Sequence, residues 1–197
     1  VWKLAQSKNL EKLFCAPGNP GIAEHAECVP IKSNDIEALK KFALEQKIDL
    51  TIVGPEQPLV DGIIDEFESA GLKIFGPSKF AAQLEGSKIF SKQFMKRHNI
   101  PTAKFETFES HQLKEAKEFI SNCSLPIVIK ADGLAAGKGV AICTTRNEAN
   151  KILHQYFEEK VFADAGTRIV IEEFMAGEET SIFALSDGIN FVTLSAA

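Results

Sequence analysis

The stretch that most limits what this chain can become is Pro126-Ile127-Val128-Ile129-Lys130-Ala131-Asp132-Gly133-Leu134-Ala135-Ala136-Gly137-Lys138-Gly139-Val140. A β-branched run ends in a lysine, a glycine-rich loop follows, and a second apolar run from Val140 reaches Cys143, so the order is strand, loop, strand. Glycine permits positive φ and lets backbone N–H groups approach an anion without a Cβ in the way, which suits the loop to phosphate. Lys130, at the strand end, points the same way. A Walker A loop has four residues between its glycines and a hydroxyl after its lysine. Here three residues separate Gly133 from Gly137, and Gly139 follows Lys138. The dinucleotide fingerprint G-x-G-x-x-G opens a helix, whereas this loop reads G-x-x-x-G-x-G and leads into a strand. Taken alone, the loop also fits a glycine-rich hairpin with a solvated lysine.

The composition, 45% hydrophobic and 25% charged, is that of a globular chain able to bury a substantial core in one large domain or two small ones. Net charge is −5 and no basic block of five or six residues occurs, which disfavours a nucleic-acid partner. Cys15, Cys28, Cys123 and Cys143 lack C-x-x-C spacing and partner histidines, so zinc and redox motifs are not indicated. They read as small apolar residues of a reducing cytoplasm. His25, His98, His111 and His154 are equally scattered. With no run of eighteen apolar residues and no signal peptide, membrane and secretion are disfavoured.

The first half alternates helices and short strands. A helix-like pattern over 1–6 precedes a strand over 13–16, closed by Pro17-Gly18-Asn19-Pro20-Gly21. Ser33-Asn34-Asp35 can cap a helix whose Ile36, Leu39 and Ala43 keep 3.6-residue spacing. A strand over 50–53 ends in Gly54-Pro55-Glu56, a helix carries Leu59, Val60, Ile63, Ile64 and Phe67, and a strand over 73–75 ends in Gly76-Pro77-Ser78. Strands separated by such helices imply right-handed crossovers and a parallel sheet, with ligands beyond the carboxyl ends of its strands. Residues 83–98 read as a linker helix with Leu84, Phe90, Phe94 and Met95 as its apolar face, Lys88 and Lys92 lying on other sides. Beyond Pro101 come strands over 104–107, 127–130, 140–143, 168–172 and 180–185, with helices over 111–120 and 147–157. A hairpin turn at Asp187-Gly188 leads into 189–194.

These motifs together resemble the phosphoribosylamine-glycine ligases, or glycinamide ribonucleotide synthetases, of the ATP-grasp superfamily. The resemblance rests on Pro17-Gly18-Asn19, 49–56, 71–77, Leu84-Glu85-Gly86-Ser87-Lys88, 127–139 and 169–179, in family order over essentially the whole chain. It implies an α/β fold: a parallel-sheet pre-ATP-grasp domain over 1–84, lacking the family's first strand, then the first part of an α+β ATP-grasp domain over 85–197. It further implies ligation of glycine to 5-phosphoribosylamine through a glycyl phosphate, with ATP consumed in the cytoplasm. Such phosphoryl transfer relies on positioning and charge neutralisation, and the chain offers lysines and glycines rather than a Ser-His-Asp or Cys-His set. No residue is singled out as catalytic.

Carried over by motif, Lys88 and Lys130 are the lysines aimed at the ATP phosphates. Asp132, Gly133, Gly137, Lys138 and Gly139 belong to the loop that closes on the triphosphate. Glu172, Glu173, Phe174 and Met175 match the hinge against which adenine lies, and Glu179 the acid that accepts ribose hydroxyls. Pro17, Gly18, Asn19, Gly54, Pro55 and Glu56 are candidates for the substrate side. The family's Mg2+ (or Mn2+) ligands fall beyond Ala197, so no metal site is expected within the chain. Both ends look cut, and the 197 residues tested as they stand are not expected to form glycinamide ribonucleotide. A sister ATP-grasp enzyme of purine synthesis and a non-catalytic nucleotide-binding module are the other readings.

Overall fold

A computed structural model of the chain describes residues 1–134 and 138–196. In the first part β1 (Phe14–Cys15) pairs in parallel with β2 (Glu27–Cys28), and β3 (Thr51–Ile52) with β4 (Ile74–Phe75). Parallel neighbours need a crossover; the second pair has α2 (Glu56–Asp61) and α3 (Ile63–Ser69), while α1 (Ile36–Glu45) precedes β3. The pairing is parallel as expected, although the described strands form two separate ladders there rather than one. Asp35 caps α1, its Oδ1 accepting the Ala38 N–H at 3.2 Å and so satisfying a donor that a helix start leaves open. Ile36, Leu39 and Ala43 meet Leu59, Ile63, Ile64 and Phe67 in one apolar cluster. The helical stripes read from the sequence are therefore the faces that pack.

Two helices expected to be continuous are broken. Gly62, with φ of 103°, separates α2 from α3, because a left-handed residue stops a right-handed helix and glycine takes that conformation without a Cβ penalty. The stretch 83–98 is split between α4 (Lys79–Gly86) and α5 (Lys88–Arg97) at Ser87, which is extended (φ −137°, ψ 115°). Ser87 Oγ accepts the Phe90 N–H at 3.1 Å and so starts α5 anew, leaving Leu84 on α4 and partly exposed. The pattern over 1–6 forms only a 3-10 turn at Leu4–Gln6 with no side-chain cap, since a helix of that length does not repay its nucleation without a cap or packing.

The second part is an antiparallel sheet in the spatial order β5 (Phe105–Glu109), β8 (Arg168–Glu173), β6 (Ile127–Ala131), β7 (Val140–Cys143). Successive strand residues face opposite sides, so Ile127, Ile129 and Ala131 of β6 and Ile169 and Ile171 of β8 enter one core. There they pack with Ala116 and Ile120 of α6 (Leu113–Asn122) and Leu153 of α7 (Arg146–Phe157). α5 packs against β8. A hairpin of β9 (Ala184–Ser186) and β10 (Phe191–Thr193) ends the chain. β9 starts later than the expected residue 180 because its ladder stops where β10 does, at the Thr193–Ala184 pair. Among the described residues no helix is long and apolar enough to cross a membrane.

α7 opens on a reciprocal cap. Thr145 Oγ1 accepts the Glu148 N–H at 3.2 Å, and Glu148 Oε2 accepts the backbone N–H groups of Thr144 and Thr145 at 2.8 and 3.1 Å. Hydrogen bonds from Thr144, then Thr145, hold the Glu148 carboxyl below its ordinary value of 4.5. A carboxyl depressed on folding contributes stability above its unfolded value and loses it as pH falls through the folded one. Thr145→Ala is expected to lower the unfolding free energy by about 1 kcal/mol in denaturant titrations at neutral pH. The difference between the native chain and Glu148→Gln should shrink as pH drops below 4.5.

Candidate functional site

Strand parity assembles the site. Because Ile127, Ile129 and Ala131 fill the core, Lys130 leaves β6 by the opposite face. In the β6–β8 ladder Val128 lies opposite Glu172 and Lys130 opposite Val170, which places Lys130 and Glu172 diagonally on that same face. Lys130 Nζ is 3.0 Å from Glu172 Oε2. From α5, Lys92 Nζ reaches the other oxygen, Oε1, at 3.2 Å, and also donates to Thr102 Oγ1 at 2.7 Å. Glu172 is 5% exposed and its Oε1 accepts no directed hydrogen bond. The two ammoniums are what offset its removal from water, which costs several kcal/mol for an unpaired ion.

Lys88 is the first residue of α5, and its Nζ donates to Gly133 O at 2.8 Å. The start of α5 is itself tied down by Asp132. The carboxylate accepts Ser87 Oγ–H at 3.0 and 3.2 Å and Ile89 N–H at 3.1 Å, and pairs with Arg168 Nη2 at 2.8 Å. Negative charge at a helix N-terminus is favoured by the helix dipole. The neighbouring backbone is closed as well, with Asp132 N–H donating to Arg168 O and Ala131 N–H to Gly139 O. Burial pushes the Lys88 ammonium below the ordinary lysine value; the Asp132 carboxylate works against that shift and Lys130 adds to it.

Lys88, Lys92, Lys130 and Glu172 line one cleft of about 780 Å³, within the roughly 300 to 1,000 Å³ of small-molecule sites. Glu56 and Glu85 also border it but are exposed, where water screens them. Its inner groups are three ammoniums against one carboxylate, an excess that attracts anions. Among the described residues no group of three or more His, Cys, Asp or Glu side chains is placed to hold a metal ion.

Of the residues singled out from sequence, Lys88, Lys130, Gly133, Gly139, Glu172, Pro55 and Glu56 line this cleft. Asp132 does not. It is buried beside the cleft with both oxygens engaged, and anchors the loop instead. Lys138 is exposed. The Glu173 side chain accepts the Lys104 N–H at 2.8 Å, and Phe174, Met175 and Glu179 follow as exposed residues outside the lining. Gly54 lies outside it too, as does the turn Pro17-Gly18-Asn19 after β1. In that turn Gly18 has φ of 79°, and a Cβ there would stand 2.3 Å from Cys28 Sγ. Asn19 Oδ1 accepts the Ile22 N–H. Gly137, and with it the central part of the loop expected to close on phosphate, lies outside the described residues. Ser87, Lys92 and Arg168 are the site residues that sequence reading missed. The i, i+4 spacing of Lys92 from Lys88 is the one signal that places it on the same helix face.

Residues 1–85 match the model of the phosphoribosylglycinamide synthetase N domain, and residues 86–197 that of the phosphoribosylglycinamide synthetase ATP-grasp (A) domain. A phosphoribosylamine–glycine ligase of Caldanaerobacter subterraneus subsp. tengcongensis is 53% identical over 197 residues, which is 100% of this chain and 47% of that protein. The Escherichia coli ligase of the same name is 54% identical over 190 residues, 95% of this chain and 44% of that one. The crystal structure of the Thermotoga maritima phosphoribosylamine–glycine ligase superposes with a TM-score of 0.77 at 32% identity, covering 99% of this chain and 45% of that chain. The chain thus spans about half the length of the curated relatives it matches. Since the two family models together run from its first residue to its last, the chain belongs to the phosphoribosylglycinamide synthetase family.

Proposed function

We propose that this chain carries the nucleotide-holding part of an enzyme that joins glycine to 5-phosphoribosylamine at the expense of ATP, giving glycinamide ribonucleotide, ADP and phosphate. The observation that carries the reading is the convergence of Lys88 and Lys130 on one cleft, from a helix start and a strand end, in a chain of this family. ATP supplies the phosphoryl group that makes the glycine carboxylate an acyl phosphate, which the amine of phosphoribosylamine then attacks with release of phosphate. The part played by this chain is positional. The ammoniums of Lys88 and Lys130 hold phosphate oxygens, the glycine loop anchored by Asp132 covers them, the backbone of 172–175 meets adenine, and Glu179 accepts ribose hydroxyls. Pro17, Gly18, Asn19 and Gly54, Pro55, Glu56 face the other substrates. Charge-assisted contacts of this kind need no covalent side chain. Mg2+ or Mn2+ belongs to the same reading, although among the described residues no group of three or more His, Cys, Asp or Glu side chains is placed to hold it. A cytoplasmic setting, with ATP and free glycine at hand, goes with it.

Titration calorimetry with ATP tests the nucleotide half of this reading, and ADP release that requires glycine and phosphoribosylamine together tests the whole. Lys130→Ala removes a charge-assisted contact worth roughly 1.5 to 3 kcal/mol, so the ATP Kd should rise by about one to two orders of magnitude. An unchanged Kd would refute the assignment. Lys88 gives a pH signature whose sign follows from its depressed proton affinity. Only the protonated form holds an anion, so ATP affinity should fall as pH rises, beginning below 10.5. In Lys88→Arg, whose guanidinium stays charged, that part of the fall should disappear.

A further inference from the structure

Lys92 lies one helical turn beyond Lys88 on α5, so both side chains leave the helix on the same side. At 8% exposure it is one of three buried charged residues among those described, the others being Asp132 and Glu172. Lysine is almost never buried unless it is paired. Its ammonium sits 3.2 Å from Glu172 Oε1 and 2.7 Å from Thr102 Oγ1, and 5.6 Å from the centre of the Phe105 ring. Lys130 holds the second oxygen of the same carboxylate at 3.0 Å. One carboxylate therefore stands between the buried ammonium of Lys92 and the more exposed ammonium of Lys130, both of which border the cleft.

Packing alone does not call for this arrangement. A buried ion pair can often be replaced by apolar side chains of similar volume without loss of stability. What the buried lysine changes is how much of its charge Glu172 has left for Lys130. With Lys92 present the carboxylate is shared, and the Lys130 ammonium is oriented without being neutralised. Without it, Glu172 pairs with Lys130 alone, and an arriving anion has to break that pair.

We propose that Lys92 is a positioning residue that acts on Lys130 through Glu172, keeping the Lys130 ammonium aimed into the cleft and available to an anion. Naming that anion as the ATP polyphosphate rests on the function proposed above; the coupling of the three side chains does not.

The coupling is read without nucleotide, from the Cε–Hε signal of Lys130 in lysine-labelled protein at neutral pH. Lys92→Met should displace that signal, and displace it less than half as far when Glu172→Gln is already present. No displacement, or an equal one in both backgrounds, overturns the proposal, because Lys92 would then be filler or merely a neighbouring charge. If Glu172→Gln does not fold, Lys92→Arg takes its place: with the charge restored the signal must return to near its native position, and failure to return is equally fatal. Calorimetry supplies the functional readout. Lys92→Met should weaken ATP about tenfold, the effect of about 1.4 kcal/mol, and adenosine less than twofold. Equal losses for both ligands point to a structural role and overturn the proposal. A native chain that shows the Lys130 coupling but binds no ATP refutes the nucleotide reading and leaves the coupling standing. ATP binding with no Lys130 shift does the reverse.

Discussion

A carboxylate taken almost wholly out of water holds this site together. Asp132 is 2% exposed, and an isolated buried carboxylate would cost several kcal/mol. It is stable because donors arrive from two places in the chain, the hydroxyl of Ser87 with the N–H of Ile89 and the guanidinium of Arg168, while the Asp132 N–H donates to the Arg168 carbonyl beside it. Each of those groups is thereby fixed relative to the others. Ser87 and Ile89 flank Lys88, and Lys130 stands two residues before Asp132 on β6. The separation of Lys88 and Lys130 is consequently set by one buried acid that does not itself line the cleft.

The same logic explains why a chain of net charge −5 can present a cationic cleft. Acids that would neutralise its lysines are spent elsewhere. Asp132 is matched by Arg168 and by hydrogen bonds at a helix start, Glu173 by the Lys104 N–H, and the exposed Glu56 and Glu85 lie in water. Among the described residues that line the cleft, Glu172 is the one buried acid, and it is divided between two lysines. Field strength at the cleft follows from burial as much as from count, because the low-dielectric surroundings of Lys92 and Glu172 screen them less than water screens the rim.

Whatever depended on local pattern was legible in the sequence. The strand over 127–130 with its terminal lysine, the stripe of Ile36, Leu39 and Ala43, and the cap at Asp35 involve neighbours within a turn or a strand. What was hidden depended on partners far along the chain. Residues 83–98 keep helical spacing through Gly86 and Ser87, and nothing nearby announces that Ser87 will turn its hydroxyl to Asp132, 45 residues away. Lys92 reads as a solvated helix lysine because its carboxylate arrives on a strand not formed until residue 168. Asp132 inside a glycine loop looked like a ligand-facing group for the same reason, since its role is decided by Arg168 and by the start of α5. The glycine that breaks the helix at position 62 was in plain view, but a single glycine in an apolar stripe is tolerated in many helices and does not by itself mark a break.

Register carries the last step from core to cleft. Sliding β6 against β8 by one residue would turn Lys130 toward Ala116, Ile120 and Leu153 and bring Ile129 out to the cleft, since a one-residue slip exchanges the faces of a strand. Burying an unpaired ammonium there, while exposing isoleucines that are now fully buried, would cost far more than the ladder hydrogen bonds regain. The apolar core shared by β6, β8, α6 and α7 therefore does more than stabilise the sheet: by forbidding the alternative register, it decides that Lys130 and Glu172 share a face.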